Sequence, residues 1–316
     1  MKLLVTGATG FVGKALCAEL VKQQLTVLAA AREKTTIEGC TPVAIGNINY
    51  STDWTMVLSN VDVVVHLAAR VHVMNDSALD PLAEFRKINV EGTLNLAQQA
   101  AKAGIKRFIF ISSIKVNGEE TEYDQPFTEE HAVNPQDAYG QSKYEAEQGL
   151  MLIARQTGME VVIIRPPLIY GAGVKANFAS MLNYIKRGVP LPLGAIHNKR
   201  SFVYLGNLVS LIKCCIDHPA AANQVFLVSD GHDLSTTELL RNCALALGVK
   251  ARLLPVPQRL IEMGAALLGR RAVAQRLCGN LQVDITKART MLGWTPPVSV
   301  ADGLKLTALG LIEMNK

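Results

Sequence analysis

The chain has 316 residues, of which 49% are hydrophobic and 19% are charged, and its formal net charge at pH 7 is +5. This balance is typical of a folded globular protein and excludes a disordered or fibrous chain. The length allows two lobes with a cleft, because single cores seldom exceed about 250 to 300 residues. No cluster of Lys and Arg alternates with aromatic residues, so a nucleic-acid partner is not expected.

Short β-rich stretches alternate with longer helical stretches from the N-terminus onward. In chain order they are KLLVT, FVGKALCAELV, LTVLAAA, VDVVVHL, a long segment at 81–104, RFIFIS, a helix at about 138–157 and VVIIRP at 161–166. Because these strands are continuously apolar, they predict an α/β fold with a mostly parallel, doubly wound sheet. In the first helix, Val12, Ala15, Leu16 and Leu20 share the face that should pack on this sheet.

The alternation weakens after Tyr170. QVFLVS at 224–229 is the clearest late strand, and the C-terminal segment from Thr236 onward is rich in helix-forming residues. The sequence therefore predicts a doubly wound α/β domain at 1–170. A second, smaller C-terminal α/β lobe follows at 171–316, interleaved with the end of the first.

Neither cysteine nor histidine forms a recognisable set of metal ligands. The six cysteines contain no CxxC pair and the six histidines are scattered, which predicts reduced thiols and no metal site. The chain begins with a strand-like segment rather than a leader peptide. The apolar stretch LIEMGAALLG at 260–269 is shorter than the roughly 18 residues of a membrane span. We therefore expect a cytoplasmic protein without a transmembrane segment.

Three glycines, Gly7, Gly10 and Gly13, lie between the first strand and the first helix. In this position free backbone N–H groups and the helix dipole can bind a pyrophosphate, and the missing side chains let it approach. A tight turn that only packs the helix against the strand is the alternative interpretation. The strand before and the amphipathic helix after the glycines favour a dinucleotide.

The end of the second strand bears on which dinucleotide is bound. An acidic side chain there binds the ribose 2′-OH of NAD, whereas an arginine accepts the 2′-phosphate of NADP. The strand ends at Ala31 and is followed by Arg32 and Glu33. The expected acid is absent, which slightly favours NADP, although a solvated Arg32 or an inward-facing Glu33 leaves NAD open.

The stretch YGQSK at 139–143 places Tyr139 and Lys143 one turn apart on a helix face. A nearby ammonium is expected to lower the pKa of the phenol from about 10, so that the pair exchanges a proton with an alcohol or sugar oxygen. A chance surface pair is the alternative. The strand RFIFIS also delivers Ser112 and Ser113 to the edge of the sheet where ligands bind, although Ser113 could simply cap the strand.

Several motifs occur together in an order that spans nearly the whole chain: TGATGFVG, HLAA at 66–69, NVEGT at 89–93, SS at 112–113, YGQSK and KARTMLGWTPP at 287–297. Together they resemble the extended short-chain dehydrogenase/reductase family, in its nucleotide-sugar epimerase, dehydratase and reductase branch. The resemblance implies a seven-stranded Rossmann lobe, a C-terminal lobe for a UDP-sugar, NAD or NADP as cofactor, and a homodimer formed by helices at about 82–103 and 138–157.

By the same resemblance, Tyr139 is the catalytic base, Lys143 also holds the nicotinamide ribose, and Ser113 orients the sugar oxygen. The cofactor-binding positions implied are Gly7, Thr9, Gly10, Phe11, Val12, Gly13, Arg32, Asn47, Ile48, Leu67, Ala68, Ala69, Asn89, Ile111, Tyr139, Lys143 and Pro166. The substrate-binding positions implied are Arg70, Ser113, Lys115, Asn177 and Arg200. Asn177 could instead cap a helix, and Arg200 could be a loop cation.

Departures from the family pattern narrow the chemistry. Ile114 and Lys115 replace the Asp-Glu pair of the 4,6-dehydratases, which disfavours dehydration. The loop that follows Ser113 contains no cysteine, which disfavours the enzymes that invert carbons 3 and 5 with a Cys-His pair. Leu168 and Asn117 replace residues that are usually Asn and Tyr, so the substrate contacts of the family do not carry over directly.

Two chemistries at C4 of the sugar remain. The stretches SSIKVNGE, GVKANF and PLPLG resemble bacterial reductases that form UDP-N-acetylquinovosamine for surface polysaccharides, which slightly favours a 4-keto reductase. A UDP-hexose 4-epimerase, which returns the hydride to the other face of the sugar, is the alternative. A cofactor-sensing regulator without activity is a remote third interpretation, because Tyr139 and Lys143 are both present.

Overall fold

The computed structural model describes residues 1–71, 80–174 and 176–313. Its strands are β1 (Lys2–Thr6), β2 (Thr26–Ala31), β3 (Thr41–Ala44), β4 (Val63–His66), β5 (Arg107–Ile111), β6 (Glu160–Arg165), β7 (Leu168–Tyr170), β8 (Phe202–Tyr204) and β9 (Gln224–Leu227). Seven of these form one sheet in the order β3-β2-β1-β4-β5-β6-β9, and all neighbours are parallel. The other two, β7 and β8, pair separately.

The helices follow the strands in alternation through the first half of the chain. They are α1 (Phe11–Lys22), α2 (Pro81–Phe85), α3 (Thr93–Lys102), α4 (Ala138–Thr157), α5 (Ala176–Lys186), α6 (Leu205–Asp217), α7 (Thr236–Ala246), α8 (Gln258–Leu267), α9 (Arg271–Cys278), α10 (Thr286–Leu292) and α11 (Val300–Glu313). A π-helical segment, Arg86–Gly92, joins α2 to α3. The helical segment predicted at 81–104 is therefore helical from Pro81 to Lys102, with a π-helical stretch at its centre.

Helices cover both faces of the seven-stranded sheet. On one face, α1 and α6 pack buried residues such as Leu16 and Leu211 against the strands. On the other face, α3 and α4 do the same with Leu96 and Leu150. The predicted doubly wound α/β fold is confirmed. Its continuously apolar strands follow from this arrangement, because neither face of a central strand meets water.

A separate apolar core lies in the C-terminal half of the chain. It gathers buried residues of α5, α7 and α11, including Phe178, Leu240 and Leu304, together with Tyr170 at the end of β7. One strand from this half, β9, joins the large sheet beside β6. The domain boundary at residue 170 stays a prediction, and the structure adds that the sheet draws on residues beyond it.

The direction of strand order reverses between β1 and β4. The order runs from β1 to β2 and β3 on one side, and from β4 to β5 and β6 on the other. In open α/β sheets, ligands bind at the carboxyl ends of the strands flanking such a point. The glycine loop after β1, the loop after β4 and the serines after β5 all lie at this edge of the sheet.

The ends of α4 are set by local chemistry. The side chain of Asp137 accepts a hydrogen bond from the backbone N–H of Gly140, at 2.7 Å, which caps the first turn. Gly158 follows the last turn with a φ of 76°, a left-handed conformation that glycine adopts without strain. These two signals are local, which is why the predicted helix at 138–157 matches the observed one.

Candidate active site

The glycine loop is shaped mainly by close approaches within the protein. Gly7 has a φ of +66°, and a Cβ on it would lie 2.8 Å from the backbone N of Ala68. A Cβ on Gly13 would lie 2.2 Å from the carbonyl O of Gly7. The packing interpretation therefore accounts for two of the three glycines. Gly10 differs from both, because it is exposed at the start of α1.

The first turn of α1 fits a bound diphosphate. Within the described residues, no side chain caps this helix at Gly10, and the first turn contains no acidic residue. Its N–H groups, at Phe11 and Val12, therefore face the carboxyl edge of the sheet without a side-chain acceptor. Free donors and the positive end of the helix dipole suit an anion, so the loop is compatible with the pyrophosphate of a dinucleotide.

The loop after β4 is fastened to α4 by Asn89. This side chain is 1% exposed. Its Oδ1 accepts from the backbone N of Arg70 at 2.8 Å, and its Nδ2 donates to the carbonyl O of Arg70 and to Oγ of Ser142, both at 3.0 Å. Ser142 lies between Tyr139 and Lys143 in sequence. Asn89 thus connects one wall of the predicted cofactor cleft to the turn that carries Tyr139 and Lys143, the predicted catalytic pair.

The first turn of α4 also contacts the segment after β5. A Cβ on Gly140 would lie only 2.8 Å from the carbonyl O of Lys115, so the two backbones touch. Ser113 precedes that segment and is partly buried, and its Oγ accepts a long bond of 3.3 Å from the backbone N of Lys115. Tyr139 and Ser113 therefore belong to two elements in direct contact at the edge of the sheet.

Lys143 is almost fully buried, with 1% of its surface exposed. Its Nζ lies 4.1 Å from the centroid of the Phe110 ring, a cation–π contact with β5. Burial lowers the pKa of Lys143 to about 7, and the negative charge of Glu147 opposes this shift. The amine consequently changes protonation near neutral pH, which suits a group that assists proton transfer.

Tyr139 does not show the pKa expected from its spacing to Lys143. Burial raises the pKa of Tyr139 to about 12, and Asp137 adds to the shift. The expectation that the pKa of the Tyr139 phenol is lowered is therefore wrong for the protein without a bound cofactor. The reason is that an amine with a pKa of about 7 supplies little positive charge, while desolvation of the phenolate acts at full strength. The Tyr139 ring is held edge-on to Phe85, with centroids 6.0 Å apart.

A buried ionic network next to Tyr139 and Lys143, the predicted catalytic pair, was not predicted from the sequence. Glu147 and Arg165 form a two-point ion pair, with Nη2 to Oε2 at 2.5 Å and Nε to Oε1 at 3.0 Å. Ser112 Oγ donates to the same carboxylate at 2.5 Å, and Arg165 Nη1 donates to Asn117 Oδ1 at 2.9 Å. A signal was present, because Glu147 lies one turn after Lys143 on the buried face of α4.

His66, at the end of β4, is a second buried polar residue that sequence reasoning missed. Its ring nitrogens bond Thr6 Oγ1 at 2.7 Å and Thr93 Oγ1 at 3.0 Å. Burial, together with the charge of Lys143, lowers the pKa of His66 to about 3. The imidazole is therefore neutral at ordinary pH and joins β1 and β4 to α3 beneath the predicted cofactor cleft.

Two of the predicted substrate cations have different surroundings. Lys115 Nζ is paired with Glu119 Oε1 at 2.7 Å and with Asp137. Arg200 is partly buried in the C-terminal half, where its Nη1 donates to the carbonyl O of Gly279 at 2.9 Å, and burial lowers its pKa. A cavity of about 520 Å³ lies beside Gly279. The side chain of Asn177 lies outside the described residues.

Comparison with known proteins decides the family. The profile of the NAD dependent epimerase/dehydratase family matches residues 3–229, well over half of the chain. A protein named UDP-glucose 4-epimerase from Vibrio cholerae is 50% identical over 315 residues, covering 99% of this chain and 96% of that protein.

The chain belongs to the NAD-dependent epimerase/dehydratase family. The resemblance drawn from the motifs is thus confirmed, and the protein is an NAD(P)-dependent enzyme of the epimerase or reductase type, with NAD or NADP as cofactor. An N-acetyl-α-D-glucosaminyl-diphospho-ditrans,octacis-undecaprenol 4-epimerase from Escherichia coli O157:H7 is 28% identical, covering 96% of this chain and 93% of that protein.

A solved structure agrees with the architecture of this epimerase/dehydratase fold. UDP-glucuronic acid 4-epimerase from Bacillus cereus, in complex with NAD, covers 100% of both chains with a TM-score of 0.80 at 22% identity. At that identity the likeness establishes the fold alone. The roles of individual residues in the present chain depend on their own geometry.

The remaining predicted cofactor positions lie in or beside the strands and loops around the same edge of the sheet. Arg32 is exposed directly after β2, and its carbonyl O accepts from Gly46 N at 3.1 Å. Ile48 is buried against Gly92, where a Cβ would come within 2.6 Å of its Cγ2. The other positions are part-buried or exposed at loop starts (Thr9, Asn47, Leu67, Ala69) or buried at strand ends (Ile111, Pro166). Their contacts with cofactor remain predictions.

The described residues contain no candidate metal site and no candidate membrane span. Across residues 1–71, 80–174 and 176–313, no group of three or more His, Cys, Asp or Glu side chains could hold a metal ion. In the same residues, no helix combines the length and the apolar character that crossing a bilayer requires.

Proposed function

We propose that this protein is a 4-epimerase of UDP-activated hexoses or N-acetylhexosamines. The observation that carries the proposal is the 50% identity, over nearly the full length of both chains, to the Vibrio cholerae protein named UDP-glucose 4-epimerase. The sequence motifs slightly favoured a 4-keto reductase. Identity at this level over 99% of the chain outweighs the short stretches on which that preference was based.

The residues at the sheet edge support chemistry at a sugar hydroxyl. Tyr139 Oη would take the proton from O4 as it passes its own proton to the neutral amine of Lys143, while Ser113 Oγ, on the adjoining segment, would donate to the same oxygen. The bound nicotinamide would supply the exchange of hydride with C4. Lys143, with a pKa of about 7, would bind beside the phenol and pass a proton to it as the cycle reverses.

The buried network sets the position of this proton-transferring pair. Asn89 holds the turn at Ser142, and Glu147 holds the next turn of α4 through Arg165. Neither side chain needs to move during the reaction. Both would limit water near Lys143, which favours transfer between enzyme and sugar over exchange with solvent.

A 4-keto reductase is the second candidate, and Arg32 is the observation that favours it. This side chain is exposed at the end of β2, where a 2′-phosphate of NADP would lie. An enzyme that releases its oxidised cofactor after each turnover commonly uses NADPH. An Arg32→Ala variant should therefore lower the preference for NADPH over NADH about tenfold if this arginine contacts the phosphate.

One experiment distinguishes the two candidates. Purified protein is incubated with UDP-galactose and with UDP-N-acetylgalactosamine, with and without NAD, and separately with UDP-4-keto-6-deoxy-N-acetylglucosamine and NADPH. The proposal predicts a product of unchanged mass from one of the first two sugars, without net consumption of cofactor. Gain of two hydrogens only by the keto sugar, with stoichiometric oxidation of NADPH, would overturn it in favour of the reductase.

A cytosolic homodimer is part of the same proposal. The six cysteines, all within the described residues, are free thiols, which suits a reducing compartment. Dimerisation is proposed through α3 and α4, where Leu152 is 48% exposed on the outer side of α4. Light scattering at high protein concentration tests this point, and a mass of a single chain would reject the dimer.

A further inference from the structure

Helix α8 exposes a continuous apolar face. Leu260, Met263 and Leu267 lie at spacings of three and four residues and are 56%, 61% and 87% exposed. Leu268, directly after the helix, is 76% exposed. None of the ten residues of α8 is buried in the described structure. A helix of a globular protein normally turns such a face inward, so this surface suits contact with another apolar phase.

The same region carries the excess positive charge of the whole protein. Residues 250–278 contain six cations, at positions 250, 252, 259, 270, 271 and 276, and one acid, Glu262, so the segment has a formal charge of 6 − 1 = +5. The whole chain also has a formal charge of +5, so the remaining residues sum to zero. Positive charge is therefore concentrated beside the exposed apolar face, where Arg259, Arg270 and Arg271 are all exposed.

The two faces of α8 differ in what they meet. Gln258 and Glu262 are joined by a hydrogen bond of 2.8 Å and line the cavity of about 520 Å³, together with Gly279, which binds Arg200. Met263 and Arg271, at the edge of the exposed face, also line this cavity, whereas Leu260 and Leu267 do not. The inner face of the helix thus belongs to the C-terminal lobe, while the outer face has an apolar centre and a cationic border.

We propose that the α8–α9 hairpin (residues 258–278) docks on the surface of an anionic phospholipid bilayer. An amphipathic helix with leucines on one side and arginines at its border lies in the plane of the membrane interface, with its apolar face among the upper acyl chains. The arginines contact the phosphate groups of the lipids, whose negative surface potential attracts cations. At ten residues, α8 is long enough to lie on a bilayer and too short to cross it.

A second copy of the chain is a poorer occupant of this face. In a two-fold dimer the same patch is present on both sides of the contact. Two segments that each carry a formal charge of +5 would then face each other, and like charges at an interface oppose association. The anionic bilayer complements the charge as well as the apolar face, whereas a second copy complements only the apolar face.

Docking through the hairpin positions the cavity beside Gly279 at the membrane surface. Because α8 contributes to the docking face and to this cavity, the lobe that contains the cavity faces the bilayer. The glycine loop and six of the seven strands of the large sheet belong to the other half of the chain. The proposal does not depend on whether the enzyme is an epimerase or a reductase. Its test measures binding, and its failure leaves the proposed function untouched.

The test is co-sedimentation of the purified full-length protein with vesicles. Vesicles of phosphatidylglycerol should carry most of the protein to the pellet, and vesicles of phosphatidylcholine should carry little. The double variant Leu260→Gln and Leu267→Gln should lose binding to phosphatidylglycerol. The matched control, Leu306→Gln and Leu309→Gln on α11, changes two leucines that are 43% and 55% exposed and should bind like the wild type.

A second pair of variants tests the role of charge. Arg259→Gln with Arg270→Gln should weaken partitioning onto phosphatidylglycerol about tenfold or more, because each cation near an anionic surface adds to the attraction. Arg155→Gln with Arg187→Gln, two exposed arginines in α4 and directly after α5, is the control of equal charge and should have little effect. Added salt should weaken the binding of the wild type.

Several results would overturn the proposal. One is failure of the wild type to sediment with phosphatidylglycerol, and another is equal binding to both lipids. Loss of binding in the α11 control as well as in the α8 variant would also reject it. If the α8 variant alone changes from dimer to monomer in light scattering, the face binds a second copy. Circular dichroism and turnover in the absence of vesicles should remain unchanged in the α8 variant, which separates lost docking from lost folding.

Discussion

Helices α4 and α8 both depart from the usual placement of side chains in a globular protein. Helix α4 buries charged residues, and helix α8 exposes apolar ones. In α4, Lys143 and Glu147 are 1% and 2% exposed. In α8, Leu260 and Leu267 are 56% and 87% exposed. Scattered exposed apolar residues are common on proteins, whereas buried charges and clustered exposed apolar residues need a physical reason. The comparison teaches that the two helices have different surroundings: α4 has its buried face beside the proposed reaction site, and α8 is exposed, with the proposed docking surface on its outer side.

The two helices also differ in whether the buried charges of α4 and the exposed leucines of α8 have partners within the protein. In α4 the charges have partners within the protein, since Glu147 binds Arg165 and Lys143 lies over Phe110. The leucines of α8 are not covered by other parts of the described structure, because no residue of α8 is buried. Substitutions in α4 should therefore affect activity or stability strongly, and substitutions on the outer face of α8 should affect neither.

The largest effect is expected from Tyr139→Phe. Removing the hydroxyl that exchanges the proton should lower turnover by about a hundredfold to ten-thousandfold, while cofactor binding and the fold remain. Steady-state kinetics with fluorescence titration of NAD measures both. Tyr144→Phe on the same helix is the matched control and should keep turnover within a few-fold of the wild type. Normal turnover of Tyr139→Phe would show that the Tyr139 hydroxyl takes no part in the reaction.

The next effect concerns the buried ion pair of α4. Glu147→Gln leaves the Arg165 guanidinium buried without its carboxylate and should lower the free energy of unfolding by about 3–5 kcal/mol. Glu145→Gln, two residues earlier, weakens a partly exposed pair with Arg86 and a bond from Gln141 Nε2, and should cost about 0–1 kcal/mol. Urea unfolding measures both variants. Equal losses would show that burial does not distinguish the two glutamates.

A smaller effect should appear in the pH dependence of stability. The pKa of Lys143 is lowered from 10.5 to about 7 in the folded protein, so between these values the unfolded chain binds the additional proton. The contribution of Lys143 to folding free energy therefore becomes more favourable as pH rises through this window. Lys143→Met should remove that contribution and be relatively more stable at the acidic end.

Urea unfolding across the same pH range provides the measurement. The exposed Lys102→Met variant controls for the loss of a positive charge elsewhere and should follow the wild-type profile. Identical pH profiles for wild type and Lys143→Met would contradict the buried, weakly basic amine. Turnover of Lys143→Met should fall together with that of Tyr139→Phe, because both residues serve the same proton transfer.

The smallest effect is expected from the outer face of α8. Leu267→Gln removes an apolar side chain that is 87% exposed, so the free energy of unfolding should change by no more than about 0.5 kcal/mol. Leu240→Gln in α7, which is 1% exposed, is the contrasting variant and should cost about 2–5 kcal/mol. A large loss in Leu267→Gln would mean that α8 packs inside the protein.

The parts of the fold that follow from local pattern were predictable. Continuous apolar strands indicate a sheet covered on both faces, and Asp137 and Gly158 mark the ends of α4. Strand β3 was not predicted because it has only four residues, TPVA, and none of them is buried. The pairing of β7 with β8 was missed because three-residue strands far apart in sequence carry almost no periodic signal.

The site was predictable where motif spacing is short and not where partners come from distant elements. The loop at Gly7 and the pair Tyr139 and Lys143 are local patterns. The pairing of Glu147 with Arg165 depends on how α4 packs on β6, and the pKa of Tyr139 depends on burial, so neither is readable from spacing. From the sequence, the apolar stretch at 260–269 is only too short for a membrane span. The exposure of its leucines is visible only in the structure.

The central claim is that hydride leaves and returns to the same carbon within one active site. The most direct measurement uses UDP-galactose that carries deuterium at C4, incubated with the purified protein and NAD, with the product identified by mass and NMR. The account predicts UDP-glucose, or the corresponding epimer of the N-acetylated sugar, with deuterium retained at C4 and no net change in cofactor. No conversion, or loss of deuterium to the cofactor pool, would contradict it.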